Sequence, residues 1–197
     1  MANQMDWTIE LAEQLDWHWR HQARPRLDGL SDQEYFWEPV PDSWNIRPRG
    51  TGHYVEVGSG AYIVDFAFSE PDPPPVTTIA WRLSHLIVGV FGLRNATYFD
   101  GPPISYSEYD YAGTADAALG ALDDAYTIWR DGVRSLGPAE LAERCREDGF
   151  EDLSVASLVL HINREAIHHL AEIALLRDLW RAGQRDCVVG QRTAAER

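Results

Sequence analysis

Four helix-patterned segments, each of about twenty residues or more and each closed by glycine or proline, limit what this chain can fold into more than any other feature. The first spans Trp7 to Leu27, with Pro25 and Gly29 closing it. The second spans Thr77 to Phe99, between 70-EPDPPP-75 and 100-DGPP-103. The third spans Thr114 to Leu136, with Thr114 as N-cap and Gly137-Pro138 as its stop. The fourth spans Leu153 to Arg181, with Asp152 or Ser154 as cap and Gly183 as terminator. Four rods of roughly 30 Å each predict an all-α fold, a four-helix bundle. One domain over residues 1–183, followed by a polar tail over 184–197, suits a chain of this length.

About 50 residues separate the first two rods, too many for a structureless connection unless they cover a site. Within them, 51-TGHYVEVGSGAYIVDFAFSE-70 alternates Tyr62, Val64, Phe66 and Phe68 after 58-GSG-60. That alternation predicts a hairpin inside an otherwise irregular insertion. A lid over residues 40–76 is one role open to it.

Charge and composition narrow the function. Lys and Arg number 17 against 31 Asp and Glu, a net charge of −14. That sign repels phosphate backbones and argues against direct nucleic-acid binding. The longest apolar run, around Leu83 to Leu93, is interrupted by Ser84, His85 and two glycines and is too short to span a bilayer. Cys145 and Cys187 have neither metal nor redox spacing, and without a signal peptide they read as free thiols in a reducing cytoplasm. Eight Trp and eight Tyr suit an aromatic-lined pocket, an interface or a large core.

Chemistry-bearing residues concentrate in 161-HINREAIHHLAEIALLRDLW-180. At about 100° per residue, with Glu165 at zero, apolar side chains fill an arc from about 20° to about 120°. His169 falls near 40°, inside that arc, and Glu165 on its margin; His168, His161 and Glu172 fall off it at about −60°, −40° and −20°. A buried carboxylate needs a partner or a metal, and a buried imidazole needs partners for both nitrogens. The E-x3-H spacing serves a pair of metal ligands or an internal Glu–His hydrogen bond.

In 78-TIAWRLSHLIVGVFGLRNA-96, His85 is the only ionisable residue between Arg82 and Arg94. Gly89, Gly92 and Ala96 leave room beside it. An imidazole facing an inward E-x3-H pair gives three protein ligands with an open position, the pattern of a catalytic metal site. In 16-DWHWRHQ-22, His18 lies within about 20° of Trp7 and Leu11 and so faces inward, as a fourth ligand, a general base or a core residue. His21 falls near the rim, and His53 has no assignable role.

These residues resemble the DinB-like superfamily, metalloenzymes that include bacillithiol- and mycothiol-dependent transferases. The likeness covers nearly the whole chain and is carried by 79-IAWRLSHLIVG-89 and 161-HINREAIHHLAEIALLRDLW-180, more weakly by 34-EYFWEPVPDSWNIRPRG-50 and 70-EPDPPPVTTIAWRL-83. It implies an up-down-down-up bundle, often a homodimer, holding Zn²⁺ or Ni²⁺ through one His of the second helix and an H-x3-H pair of the last. Carried over, the ligands fall on His85, Glu165 and His169, with Glu165 where many relatives have His. A carboxylate is a competent zinc ligand, and as a harder donor it favours Zn²⁺, Fe²⁺ or Mn²⁺ over softer ions. His168 and His161 are then rim residues, and Arg164 and Arg177 make structural ion pairs, for instance with Glu172 or Asp178.

The resemblance implies a small-molecule substrate and an ion that lowers the pKa of a bound thiol, such as mycothiol, or of water. The electrophile or cofactor would lie against Trp81 and Trp44, with His18 or His168 as base. Two other classes fit the same sequence. One is a non-catalytic protein holding a metal or apolar ligand; the other is a stress-response protein whose helices dimerise.

Overall fold

The computed structural model describes residues 5–195 apart from Glu70, and only the backbone over 185–195, so Cys187 lies outside the described side chains. The first rod opens where Asp6 accepts hydrogen bonds from the Thr8 and Ile9 amides. It comprises α1 (Trp7–His18), a π-helical stretch (Trp19–Ala23) and α2 (Arg24–Leu27). Pro25 has no amide proton to give to a residue one turn back, which suits the local shift to i→i−5 bonding, Arg24 N–H to Trp19 O. Pro25 therefore interrupts the rod without ending it; Gly29, at φ +69°, lies just past its end.

After α3 (Asp32–Tyr35) the insertion forms three short strands, β1 (Ile46–Pro48), β2 (Val55–Val57) and β3 (Tyr62–Phe66). The outer two pair antiparallel with β3, Ile46 and Val57 both lying opposite Val64. The hairpin read from the alternation is β2–β3, but β1 was not legible and the domain is helical with a small sheet rather than purely all-α. Val64, Ile63 and Asp65 are all buried, so alternation along β3 does not separate a wet face from a dry one. Asp65 ties the sheet together by accepting from Asn45 N and Arg47 Nε, at 2.9 and 2.7 Å. Its main-chain carbonyl accepts from Trp81 Nε1 at 3.0 Å, and Thr78 N bonds Trp44 O at 2.9 Å. The insertion is thereby fastened over the start of the second rod.

That rod consists of α4 (Ile79–Ser84), a π-helical stretch (His85–Gly92) and α5 (Leu93–Tyr98), with Thr78 as its cap. The third rod is α6 (Ala115–Ser135), capped by Thr114 as expected. A short α7 (Pro138–Ala142) leads to α8 (Val155–Ala195), whose Ser157 amide bonds the Ser154 hydroxyl. Gly183 does not terminate this helix.

Leu83, Leu86, Phe91, Leu122, Trp129 and Ile173 are buried where the rods meet, each contributing roughly 1.5–3 kcal/mol by leaving water. Polar cross-links fix the register. Tyr126 Oη donates to Asp16 at 2.5 Å, and Asn163 Nδ2 donates to Leu11 O at 2.8 Å. Asn163 and Leu170 extend the buried face of α8 beyond the arc read from its apolar residues, because the first rod packs there as well as the second. Arg177 is 1% exposed and pairs with Glu34 at 2.8 Å, not with Glu172 or Asp178. Its guanidinium also caps the Arg26 and Asp28 carbonyls at the end of the first rod.

Candidate metal centre

His85 begins the π-helical stretch of the second rod, and His169 sits on the buried face of α8. Their rings meet edge to face with centroids 4.9 Å apart. Burial above all, then the neighbouring His169, Arg82 and Arg94, brings the His85 pKa down to about 4. Burial also lowers that of His169, against the opposing pull of Glu172. Both imidazoles are therefore neutral near pH 7, the state in which a ring nitrogen has a lone pair to give.

Each ring is held by its Nδ1. His85 Nδ1 lies 2.9 Å from the Tyr106 hydroxyl. Gly89 makes this approach possible: a Cβ there would lie 1.9 Å from Tyr106 Oη and 3.0 Å from His85 Nδ1. Burial pushes the Tyr106 phenol up to about 12, so it stays un-ionised. With Nδ1–H donating to the phenol oxygen, His85 Nε2 carries the free lone pair. His169 Nδ1 lies 2.7 Å from Glu172 Oε2. Arg82 NH1 is 3.1 Å from the same nitrogen and 3.0 Å from Glu172 Oε2. A proton on Nδ1 satisfies Glu172, leaves Arg82 to the carboxylate and frees His169 Nε2. Carboxylate–imidazole pairs of this kind orient metal-binding histidines.

His169 Nε2 faces Glu165, whose Oε2 is 3.7 Å away. The other Glu165 oxygen lies 3.8 Å from His161 Nδ1 and 3.7 Å from Arg164 Nε, so this half-buried carboxylate has only loose partners. The chemistry of the set, two neutral imidazole nitrogens and one carboxylate, fits a divalent ion. It is not drawn together to coordination distance. Among the described residues, the trio whose ligand atoms lie within 4.8 Å of one another is His168, His169 and Glu172, which can hold a metal. An ion there would displace or adjoin the Arg82 guanidinium, whereas one on the Nε2 side would have Arg164 beyond Glu165.

The aromatic residues singled out in the sequence line up behind His85. Trp81 stacks on the imidazole at 5.4 Å, and Trp44 lies 5.9 Å beyond it. His168 is exposed beside the centre, 3.4 Å from Glu172. His18 is elsewhere: it lines a groove between the first rod and α8 with Leu170 and Ala174, its Nδ1 2.8 Å from Gln22 Oε1. Of the two residues that suggested an inward His18, Leu11 is buried and Trp7 is 63% exposed, and His18 Nε2 itself is buried with no partner among the described residues. His21 stacks on exposed Trp17, and His53 is exposed. Among the described residues, Arg164 makes the loose Glu165 contact and a 2.7 Å contact with His161 Nδ1. Sequence reasoning missed Tyr106 and Arg82. Nothing marks Tyr106, which arrives from the loop after α5; Arg82 was visible, one turn before His85, but read as a boundary.

A family model described as the DinB superfamily matches residues 14–173, which include every residue of this centre. No curated protein and no solved structure matches the chain.

Proposed function

Because this chain belongs to the DinB superfamily, we propose that it is a divalent-metal-dependent enzyme acting on a small molecule, with His85 Nε2, His169 Nε2 and Glu165 as the ligands. The observation that carries this reading is the meeting, at 4.9 Å, of two imidazoles that burial keeps neutral and whose Nδ1 atoms are already engaged. The rods are read as the superfamily's up-down-down-up bundle. Leu11–Asn163 and Arg26–Asp178 contacts support a parallel first and last rod, and Asn95–Ala125 and Phe99–Trp129 contacts support a parallel middle pair.

His85, His169 and Glu165 would hold the ion, Zn²⁺ first and Fe²⁺, Mn²⁺ or Ni²⁺ as alternatives, which would supply Lewis acidity to lower the pKa of a thiol or water. The chain does the rest. Tyr106 and Glu172 fix the imidazole tautomers. His168, exposed and 3.4 Å from Glu172, serves as the base. Trp81 and Trp44 keep water from one side of the centre. In this reading a low-molecular-weight thiol such as mycothiol gives up its proton and its sulfur bonds to an electrophilic carbon as the leaving group departs; hydrolysis of an ester or amide uses the same residues.

A second reading has an ion on His168, His169 and Glu172 in a binding protein without catalysis, favoured by the closeness of those three. Metal content after purification without chelator separates the two. The first reading expects His85→Ala to lose the metal and His168→Ala to keep it. The reverse result supports the second, and a metal-free wild type removes both.

A further inference from the structure

Beside the centre, between the end of the second rod and the start of α8, lies a cavity of about 360 Å³. Its apolar side is Phe150, Leu153 and Leu158. Phe150 and Leu153 are 59% and 49% exposed, large apolar side chains left in water at its mouth. Its polar side holds Arg94, Glu147 and Arg164. Arg94 bonds Glu147 at 2.8 Å and the Gly89 carbonyl, while its Nε is buried with no partner among the described residues. Arg164 is mostly exposed, with its Nε 3.7 Å from Glu165 and its NH2 2.7 Å from His161 Nδ1. Two guanidinium groups and one carboxylate line the cavity, and Glu165, outside the lining, is the loose counter-charge of Arg164, on a chain whose net charge is −14. His161 lines the cavity and also approaches Glu165 at 3.8 Å, one helical turn on, so cavity and centre share a wall.

We propose that this cavity binds a small amphipathic monoanion, an aryl or branched-alkyl carboxylate, and that it is the substrate pocket of the neighbouring centre. The apolar body lies on Phe150, Leu153 and Leu158, and the carboxylate on Arg164 at the mouth. A volume of this size and a mostly apolar lining with a few convergent polar groups are those of small-molecule sites. A monoanion replaces Glu165 at Arg164 one charge for one, whereas a dianion would also meet Glu147. Turning Glu165 toward an ion would release Arg164 from its remaining carboxylate contact, which couples the two sites. The binding claim stands without a metal; only the assignment as substrate pocket rests on the proposed function.

The test is calorimetric titration of the full chain with 4-phenylbutyrate and with its neutral twin, 4-phenyl-1-butanol. The expected result is saturable binding of the acid with Kd of about 1 mM or tighter, and about tenfold weaker binding of the alcohol. Arg164→Gln, at an exposed position, reduces acid binding about tenfold and leaves the alcohol unchanged. Ser157→Trp, which fills the cavity, removes both. No saturable binding to folded wild type, or acid binding untouched by Arg164→Gln and by a folded Ser157→Trp, overturns the proposal. Acid binding that survives in a His85→Ala protein lacking metal shows the pocket to be independent of the centre. If the wild type binds acid as expected but holds no metal, the pocket stands and the enzymatic reading fails.

Discussion

Tyr106 reaches His85 only because residue 89 is glycine: the phenol oxygen stands 2.9 Å from the imidazole Nδ1, in space that a Cβ at position 89 would enter. A loop residue thus sets which nitrogen of a helical histidine is available. The glycine read from the sequence as room beside an imidazole is room for a specific hydroxyl.

Tyr106→Phe should keep the fold and weaken zinc binding about 10- to 100-fold, the usual cost of removing the group that orients a metal-binding histidine. Gly89→Ala should weaken it comparably and cost about 1–3 kcal/mol of stability, because Tyr106 must move. Competition with a fluorescent chelator and urea unfolding measure the two effects. Unchanged zinc affinity in both variants would separate Tyr106 from the centre.

Arg177 and Glu34 form a buried pair that closes the end of the first rod onto α8. Truncating one partner leaves the other charge buried and unmatched. Arg177→Met and Glu34→Gln should each destabilise by about 3–5 kcal/mol, and the combined variant by less than the sum. Urea midpoints of the three variants check this; additive losses would mean that the two side chains act separately.

The metal-free protein should lose stability on mild acidification. In the unfolded chain a histidine takes up a proton near pH 6.5, whereas burial and nearby cations hold His85 proton-free down to about 4. The unfolded state therefore binds the extra proton across that interval. The stabilisation is complete above about pH 6.5 and is lost as pH falls toward 4. His169, lowered by burial, adds in the same direction. Chemical unfolding of the chelator-treated protein at pH 7, 6, 5 and 4 should show the decline. In His85→Gln the slope should be shallower, and an identical slope would count against a buried neutral imidazole.

The rods were legible because their apolar spacing and caps are local: Thr114 caps α6 as its hydroxyl suggested. The inward aim of His169 followed from its place on the apolar arc of α8. Long-range partners were not legible. Glu34 meets Arg177 only once the chain has turned back on itself, and Tyr106 comes from a loop whose sequence carries no pattern. His18, placed inward by its spacing from Leu11 and Trp7, does have a buried Nε2, but in a groove between the first rod and α8 rather than at the centre, and Trp7 is exposed. Proline and glycine misled at Pro25 and Gly183, which the helices pass through: the first by a π-helical shift, the second without interruption.

An anomalous-scattering map from crystals of the zinc-loaded protein tests the central claim most directly. The account predicts one peak between the second rod and α8, bound by the Nε2 atoms of His85 and His169 and by a Glu165 oxygen, with Tyr106 and Glu172 still on the Nδ1 atoms. A peak on His168 and Glu172 with His85 unligated, or no peak near either imidazole, would contradict it.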